Sequence, residues 1–600
     1  MPVAAVAARR WACPPRLPGR SALSPLRPHL ARCLASDAAP PKPHYVTTPI
    51  FYVNAAPHIG HLHSIVLADV ASRWAAWRGG PGSRALLATG TDEHGLKIQR
   101  AASANGEDAA ALCARVSGTF RELASACGIA EHVFIRTTEE RHRVAVQALW
   151  TRLAERGHIY MSTHAGWYAV SDEAFYTAAQ VRDATPDEGG TGKVSIETGT
   201  PVEWYEEANY KFRLSAFTAP LVEWLESTPD AILPPSRHAE VLAEVRTGLS
   251  DLSISRPRAR LEWGIPVPDD ADHMIYVWVD ALTNYLTVTG YPWAESGAGE
   301  VPAGSAWPAD AHIVGKDIVR FHAVYWPAFL MAAGLPVPRH IVTHGHWTMN
   351  HSKMSKSRGN VADPFEMLQR FGVDEVRWFL MRLGGGLADD SNWSESTLRE
   401  YYKKYLQGQL GNLLSRMVAP KVQARLFEDE HEQVAVIKRP EPSPADEKLR
   451  GLLSEAPKTF AAHMAAYELA KALEVVSELL AAANELVAQL EPWRPSADRD
   501  AVQRAQYMAL ETLRISSCLL APSMPDRMAA LQASLQLGAD ETTWQSCLAL
   551  RPEVRVERSD AKVAPLFPPL PEPVQVQKPQ LSSAPRKKLK QQERRQRQAR

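Results

Sequence analysis

Six hundred residues are too many for one hydrophobic core, and at about 150 residues per domain the chain divides into three to five units. The 45% apolar and 22% charged content is that of a soluble globular protein, and no apolar run approaches the roughly 18–20 residues of a membrane-spanning helix. Zero formal net charge hides a strong asymmetry at both chain ends.

Residues 1–36 carry Arg9, Arg10, Arg16, Arg20, Arg27 and Arg32 with no Asp or Glu, and are rich in Ala, Leu and Ser. Spread arginines without a compact apolar centre read as a mitochondrial transit peptide rather than a secretory signal, with the mature fold starting near Pro43 and the matrix as destination. The six cysteines are scattered, with no CxxC pair. Neither a disulfide framework nor a cysteine zinc knuckle follows.

From Tyr45 an alternating apolar run (Val46, Ile50, Tyr52) leads through a turn at Asn54 to Pro57 into a segment where Leu62, Ile65, Val66, Val70 and Trp74 recur at helical spacing. Pro57 suits the first helical position, which places His58, Gly60 and His61 in the first turn. Two imidazoles at a helix N-terminus, beside a glycine that lets a ligand approach the backbone, suit a phosphate site; they equally suit a helix cap. Arg84–Gly90 reads as a second buried strand, ending in Thr91, Asp92, Glu93, His94 and Gly95. Polar residues past the carboxyl end of a parallel strand are where ligands are held, so Asp92 is a candidate. A helix-rich stretch follows to Gly157.

Residues 158–250 turn rich in Tyr, Trp, Thr and Glu with short alternating runs, which predicts an inserted, partly β domain. Where a metal-stapled insertion would show cysteines, this one shows Val170, Ser171 and Asp172, so no zinc is expected. The sheet is expected to resume with Tyr276–Leu286, then His312–Val314 leading through Gly315, Lys316 and Asp317 into a helix bearing Arg320, Phe321, His322, Tyr325 and Trp326, then strand His340–Trp347. His351–Asn360 (HSKMSKSRGN) is a short basic Ser/Gly-rich loop whose Lys353 and Lys356 offer point charges to phosphate oxygens, or merely a solvated surface.

From Ser396 the pattern is helical. Leu469, Leu473, Val476, Leu480, Val487 and Leu490 mark a bundle helix ending at Pro492. Pro-rich residues 564–585 read as linker, and the last fifteen residues hold eight Lys/Arg against one Glu.

His58-Ile59-Gly60-His61 near the start of a doubly wound sheet, followed far downstream by Lys353-Met354-Ser355-Lys356-Ser357, resembles the class I aminoacyl-tRNA synthetases. TTPIFYVNAAPHIGH, GTDEHG, YVWVDALTNY, GKDIVRFHAVYWPA and KMSKSRGN together resemble methionyl-tRNA synthetases of the zinc-less, mitochondrial-like kind; Leu282 stands where several members have proline. The resemblance implies an α/β fold: a doubly wound parallel Rossmann-type catalytic sheet (44–157 and 251–347), an inserted connective domain without zinc (158–250), a KMSKS loop and linking region (348–395), a helical anticodon-binding domain (396–540) and a C-terminal extension (541–600). It implies ATP with Mg2+, L-methionine and tRNA(Met) as ligands of a monomer that needs no membrane. His58, Gly60, His61, Lys353 and Lys356 are expected to contact ATP, with both histidines and both lysines catalytic. Ile50, Tyr52, Asp92, Trp278, Ala281, Tyr285, His322 and Trp326 are expected to hold methionine, Asp92 taking the ammonium group and the aromatic set the thioether, helped by a Tyr or His that donates to sulfur. Asn412, Arg416 and Trp493 are expected to read the anticodon.

Overall fold

The alternating run at the start of the chain forms strand β1 (His44–Tyr52), and the apolar-periodic segment after it forms helix α1 (Ile59–Gly79). The computed structural model describes residues 42–129, 132–170, 174–185, 192–293, 300–349, 362–429, 431–558 and 564–572, with the backbone of 352–353. The arginine-rich stretch 1–36, Ser171, Asp172, Lys356 and the basic tail lie outside the described residues. Next come β2 (Ala85–Asp92), α2 (Leu96–Asn105), α3 (Ala109–Ala126), β3 (His132–Arg136) and α4 (Glu140–Glu155). β3 escapes a sequence reading because only Ile135 in it is buried, so it lacks an apolar pattern.

A six-stranded sheet runs in the order β3, β2, β1, Ala311–Gly315, His340–His344, Ile232–Leu233, and every pairing in it is parallel. Chain order reverses between β1 and Ala311–Gly315, and such a switch point opens a crevice at the carboxyl ends of the strands. Ile232–Leu233 falls within the 158–250 stretch, so the chain re-enters the parallel sheet before that stretch ends. Ahead of it, Ile159–Ala169 and Pro201–Phe212 form a long antiparallel ribbon, with Ile159 opposite Phe212 and Tyr168 opposite Glu203.

Two expected strands are different. Tyr276–Leu286 does not extend the sheet: Val277–Thr287 is a helix, and all its residues except Trp278 are buried. A helix covered on every side has no polar face, so its β-branched and aromatic content mimics a buried strand. His340–Trp347 is likewise not one strand. It stops at His344, and Trp347–Met349 joins a small sheet with Ser352–Lys353 and Ser391–Trp393.

The C-terminal half is built on helices Glu447–Ala465, Leu469–Leu490 and Arg499–Leu520. A ribbon of Val434–Lys438 and Glu553–Glu557, unseen in the sequence, flanks them. The start of the Pro-rich segment is not free linker: Leu566 and Phe567 are buried, and the Tyr402 hydroxyl donates to the Pro568 carbonyl.

The two halves meet at a buried ion pair. Arg377, on helix Val373–Gly384, donates to Asp69 of α1 at 2.6 Å, and its other N–H groups reach the carbonyls of Cys127, Pro522 and Ser523. Both side chains are fully buried. Losing Arg377 leaves the buried Asp69 carboxylate with Arg73 alone and the carbonyls of Cys127, Pro522 and Ser523 without their donor, so Arg377→Met should lower stability in equilibrium urea unfolding by about 3 kcal/mol. The exposed pair Lys448–Glu485 is the control, and Lys448→Met should cost less than about 1 kcal/mol.

Candidate active site

The start of α1 is shaped by its own histidines. His58 is the N-cap in extended backbone rather than a first-turn residue, and Pro57 stands outside the helix. The Gly60 N–H donates to His58 Nδ1 at 3.0 Å and the His58 N–H donates to His61 Nδ1 at 3.1 Å. The rings stack with centroids 3.9 Å apart. Because each Nδ1 accepts, each neutral ring carries its proton on Nε2, beside the positive end of the helix dipole. A Cβ on Gly60 would lie 2.9 Å from His58 Cε1, so only glycine leaves this cap undistorted.

β1 and β2 end side by side at the switch point, with Ile50 opposite Gly90 and Tyr52 opposite Asp92. Asp92 is buried, while Ile50 and Tyr52 are half-buried. Tyr52 packs against both large hydrophobic clusters of the molecule, so it stands where they meet.

Helix Val277–Thr287 supplies the facing wall. Trp278 stacks on Phe321 with centroids 3.6 Å apart, Ala281 is buried, and Tyr285 reaches His322. His322 lies in a π-helical stretch, Phe321–Tyr325, whose wider turn precedes helix Trp326–Ala333. Its Nδ1–H donates to the Ile318 carbonyl at 2.9 Å, so Nε2 must accept the Tyr285 hydroxyl proton at 2.7 Å. In this arrangement the tyrosine proton is committed to the imidazole, and a donor to sulfur, expected from the residue types, is not on offer. What remains for a thioether is polarizable ring surface. Behind this, Trp326 Nε1–H donates to His312 Nε2 at 3.2 Å, and His312 Nδ1–H then donates to Thr47 at 2.7 Å. Burial drives both rings toward neutrality, His312 well below the usual histidine range and His322 down to about 4.

The structure therefore brings Trp278, Ala281, Tyr285, His322 and Trp326 to one wall and Ile50, Tyr52 and Asp92 to the strand ends, directly ahead of the histidine cap. Lys353 contributes backbone to the strand opposite Thr348, and Lys356 lies outside the described residues. In the helical half Arg416 sits over the Trp493 ring, 5.4 Å from its centroid, while Asn412 contacts Asn484 at 3.5 Å. Sequence reasoning missed the groups that hold the site. Glu93 is fully buried and receives a two-pronged bond from Arg136. Asp280 is buried between His94 and His142. The available signal was an aspartate inside the apolar run YVWVDAL, because a buried carboxylate requires partners.

A doubly wound sheet with a histidine-capped helix at its switch point, an aromatic wall across from a buried carboxylate, and an appended helical half with an Arg–Trp pair is the architecture of a class I aminoacyl-tRNA synthetase. The family model for class I (M) tRNA synthetases matches residues 44–418, and that for the anticodon-binding domain of methionyl tRNA ligase matches 437–554. The probable mitochondrial methionine–tRNA ligase of Neurospora crassa is 44% identical, covering 82% of this chain and 79% of its own length. The human mitochondrial methionine–tRNA ligase is 43% identical, covering 83% and 84%. The solved Mycobacterium tuberculosis methionyl-tRNA synthetase in complex with methionyl-adenylate superposes with a TM-score of 0.79 at 37% identity, covering 88% of this chain and all of that one. The chain belongs to the class I methionyl-tRNA synthetases.

The depressed pKa of His322 has a thermodynamic consequence. The folded ring stays neutral down to about 4 while the unfolded one protonates below 6.5, so the unfolded state binds more protons and stability falls as pH drops from 6.5 toward 4. His322→Gln should remove on the order of 2 kcal/mol of the stability lost between pH 7.5 and pH 5. Urea unfolding at the two pH values checks this; an unchanged difference would mean that the ring titrates as in the unfolded chain.

Proposed function

We propose that L-methionine is activated at the switch point of the parallel sheet: its carboxylate attacks the α-phosphorus of ATP, giving methionyl-adenylate and pyrophosphate, and the methionyl group then passes to the 3′ terminal ribose of tRNA(Met). The observation that carries this reading is the pairing of Tyr52 with Asp92 at the strand ends, one short turn ahead of the His58–His61 cap. One segment can then hold both reactants.

Asp92 takes the methionine ammonium group. Ile50, Tyr52, Trp278, Ala281, Tyr285, His322 and Trp326 enclose its side chain, discriminating by shape and polarizable contact rather than by a hydrogen bond to sulfur. No side-chain nucleophile is needed, so the rate comes from positioning and from charge stabilisation of the pentavalent transition state. The two Nε2–H donors of the cap and the N-terminus of α1, open at Gly60, meet the triphosphate. Lys356 neutralises the leaving pyrophosphate and Lys353 assists. Mg2+ bound to the triphosphate would supply further charge neutralisation; among the described residues no group of three His, Cys, Asp or Glu side chains stands where it could hold a resident metal ion.

The same reading divides the chain into a catalytic sheet over 44–157 and 251–347 that includes Ile232–Leu233, a zinc-free insertion within 158–250, the loop region 348–395, an anticodon-reading part over 396–540 in which Asn412, Arg416 and Trp493 contact bases, and the extension 541–600. It makes the protein a monomer working in the mitochondrial matrix after removal of 1–36, independent of membranes.

ATP–pyrophosphate exchange across a panel of amino acids tests the central claim. Exchange should depend on methionine, and equal exchange with leucine would refute it. Lys356→Ala should slow adenylate formation by about 100-fold while leaving methionine affinity within about twofold; equal loss of both would make the loop structural. Arg416→Ala should raise the KM for tRNA(Met) in aminoacylation by about tenfold with exchange unaltered, and a parallel fall in exchange would argue against base reading at that residue.

A further inference from the structure

The buried carboxylate of Asp280 takes no part in the scheme above, yet it joins three separate elements beside the site. Its side chain is 1% exposed, and each oxygen meets a different imidazole at 2.7 Å: Oδ2 with His94 Nδ1 and Oδ1 with His142 Nε2. The three residues come from three elements. Asp280 is on helix Val277–Thr287, His142 is on α4, and His94 is in the short connection after β2, two residues beyond Asp92. Burial alone would push the carboxyl up; the charge of His94 and the hydrogen bonds of both imidazoles outweigh it and bring Asp280 down to about 2. The two imidazole contacts favour the ionised carboxylate, and a buried ion tolerates few geometries, because losing either partner leaves charge uncompensated in a low-dielectric interior.

The connection that carries Asp92 and His94 is held from its other side as well. Glu93 takes Nε and Nη2 of Arg136 at 2.7 and 2.9 Å and the Thr138 hydroxyl at 2.6 Å. The Gly95 N–H donates to the Trp263 carbonyl, and the Trp263 indole N–H donates back to the Glu93 carbonyl. One arm of this arrangement leads away from the site, to Arg136. The other leads to Asp280, whose neighbour in sequence is Ala281 and whose helix also carries Trp278 and Tyr285.

We infer that Asp280 is a positioning residue for methionine: through His94 it sets the separation between the carboxylate that takes the ammonium group and the helix wall that takes the thioether. Among the described residues its side-chain hydrogen bonds go to His94 and His142 and not to the histidine cap assigned to ATP. The inference rests on the assignment of Asp92 and the aromatic wall to methionine.

The test is steady-state ATP–pyrophosphate exchange with the full mature chain. Asp280→Asn keeps the size but removes the charge and one of the two acceptors. It should raise the KM for methionine about tenfold or more while the KM for ATP stays within about twofold. His94→Gln, which disturbs only the arm beside Asp92, should give the same split, and it decides the matter alone if Asp280→Asn does not fold. Methionine KM unchanged in the folded variants, or methionine and ATP KM rising together, overturns the inference and leaves Asp280 a fold-stabilising charge. Failure of the wild-type chain to show methionine-dependent exchange refutes the assignment of the site itself, whatever the variants do.

Discussion

Much of this molecule depends on one ion pair that has no access to water, Asp69 with Arg377. Asp69 is on α1, two to three turns beyond the histidine cap; Arg377 is on the helix that follows the KMSKS region, and its guanidinium also binds the carbonyl of Cys127 after α3 and those of Pro522 and Ser523 at the end of helix Arg499–Leu520. Arg73 donates to the same Asp69 carboxylate from one turn further along α1. A planar five-donor cation suits such a junction, since it can satisfy several acceptors in one plane without giving up its charge. The helix capped by His58 is thereby fixed to the half of the protein that carries Arg416 and Trp493. An enzyme that joins a reaction at one end of a tRNA to recognition at the other needs a rigid connection, and a buried charge that tolerates little displacement provides one.

The same device recurs at smaller scale in the active site. Glu93 and Asp280 are buried carboxylates that bind side chains from other elements rather than substrate, and between them they bracket Asp92. Neutral polar groups are used differently. Burial keeps His312 and His322 uncharged, and each ring is oriented by one donor and one acceptor, so the aromatic wall contains hydrogen bonds but no net charge. The partition is chemically sensible for methionine, which brings an ammonium and a carboxylate at one end and an uncharged, polarizable thioether at the other. Charge is concentrated around the strand end at Asp92, and the wall opposite presents rings.

How much was legible beforehand varied with the kind of signal. Local patterns were reliable where chain-neighbour chemistry decides the outcome. The strand–turn–helix around His58 and His61, the strand expected over Arg84–Gly90 (observed as Ala85–Asp92) and the bundle helix Leu469–Leu490 all formed, because period-two and period-3.6 patterns and turn residues act over a few positions. Helix Val277–Thr287 reads as strand in the sequence because burial on nearly every side erases the helical pattern. The strand β3, the ribbon of Val434–Lys438 with Glu553–Glu557, and the seating of Leu566 and Phe567 depend on partners distant in sequence, and nothing local announces them.

By itself, then, the sequence determined which residue types are on offer for the chemistry: the histidine pair with its glycine, the aspartate at the end of β2, the aromatic set and the lysine loop, together with the order in which they occur. Those identities are chemical, and spacing along the chain is enough to recognise them. Only the tertiary structure decided how the residues are held: the His58 cap that fixes both ring tautomers, the commitment of the Tyr285 proton to His322, the fork of Arg136 on Glu93, and the bridge from His94 through Asp280 to His142. Each of these joins groups whose meeting follows from the packing of separate elements. The physical reason is desolvation, since a buried charge or donor must find its partner wherever the fold puts one, and sequence separation places no limit on that choice.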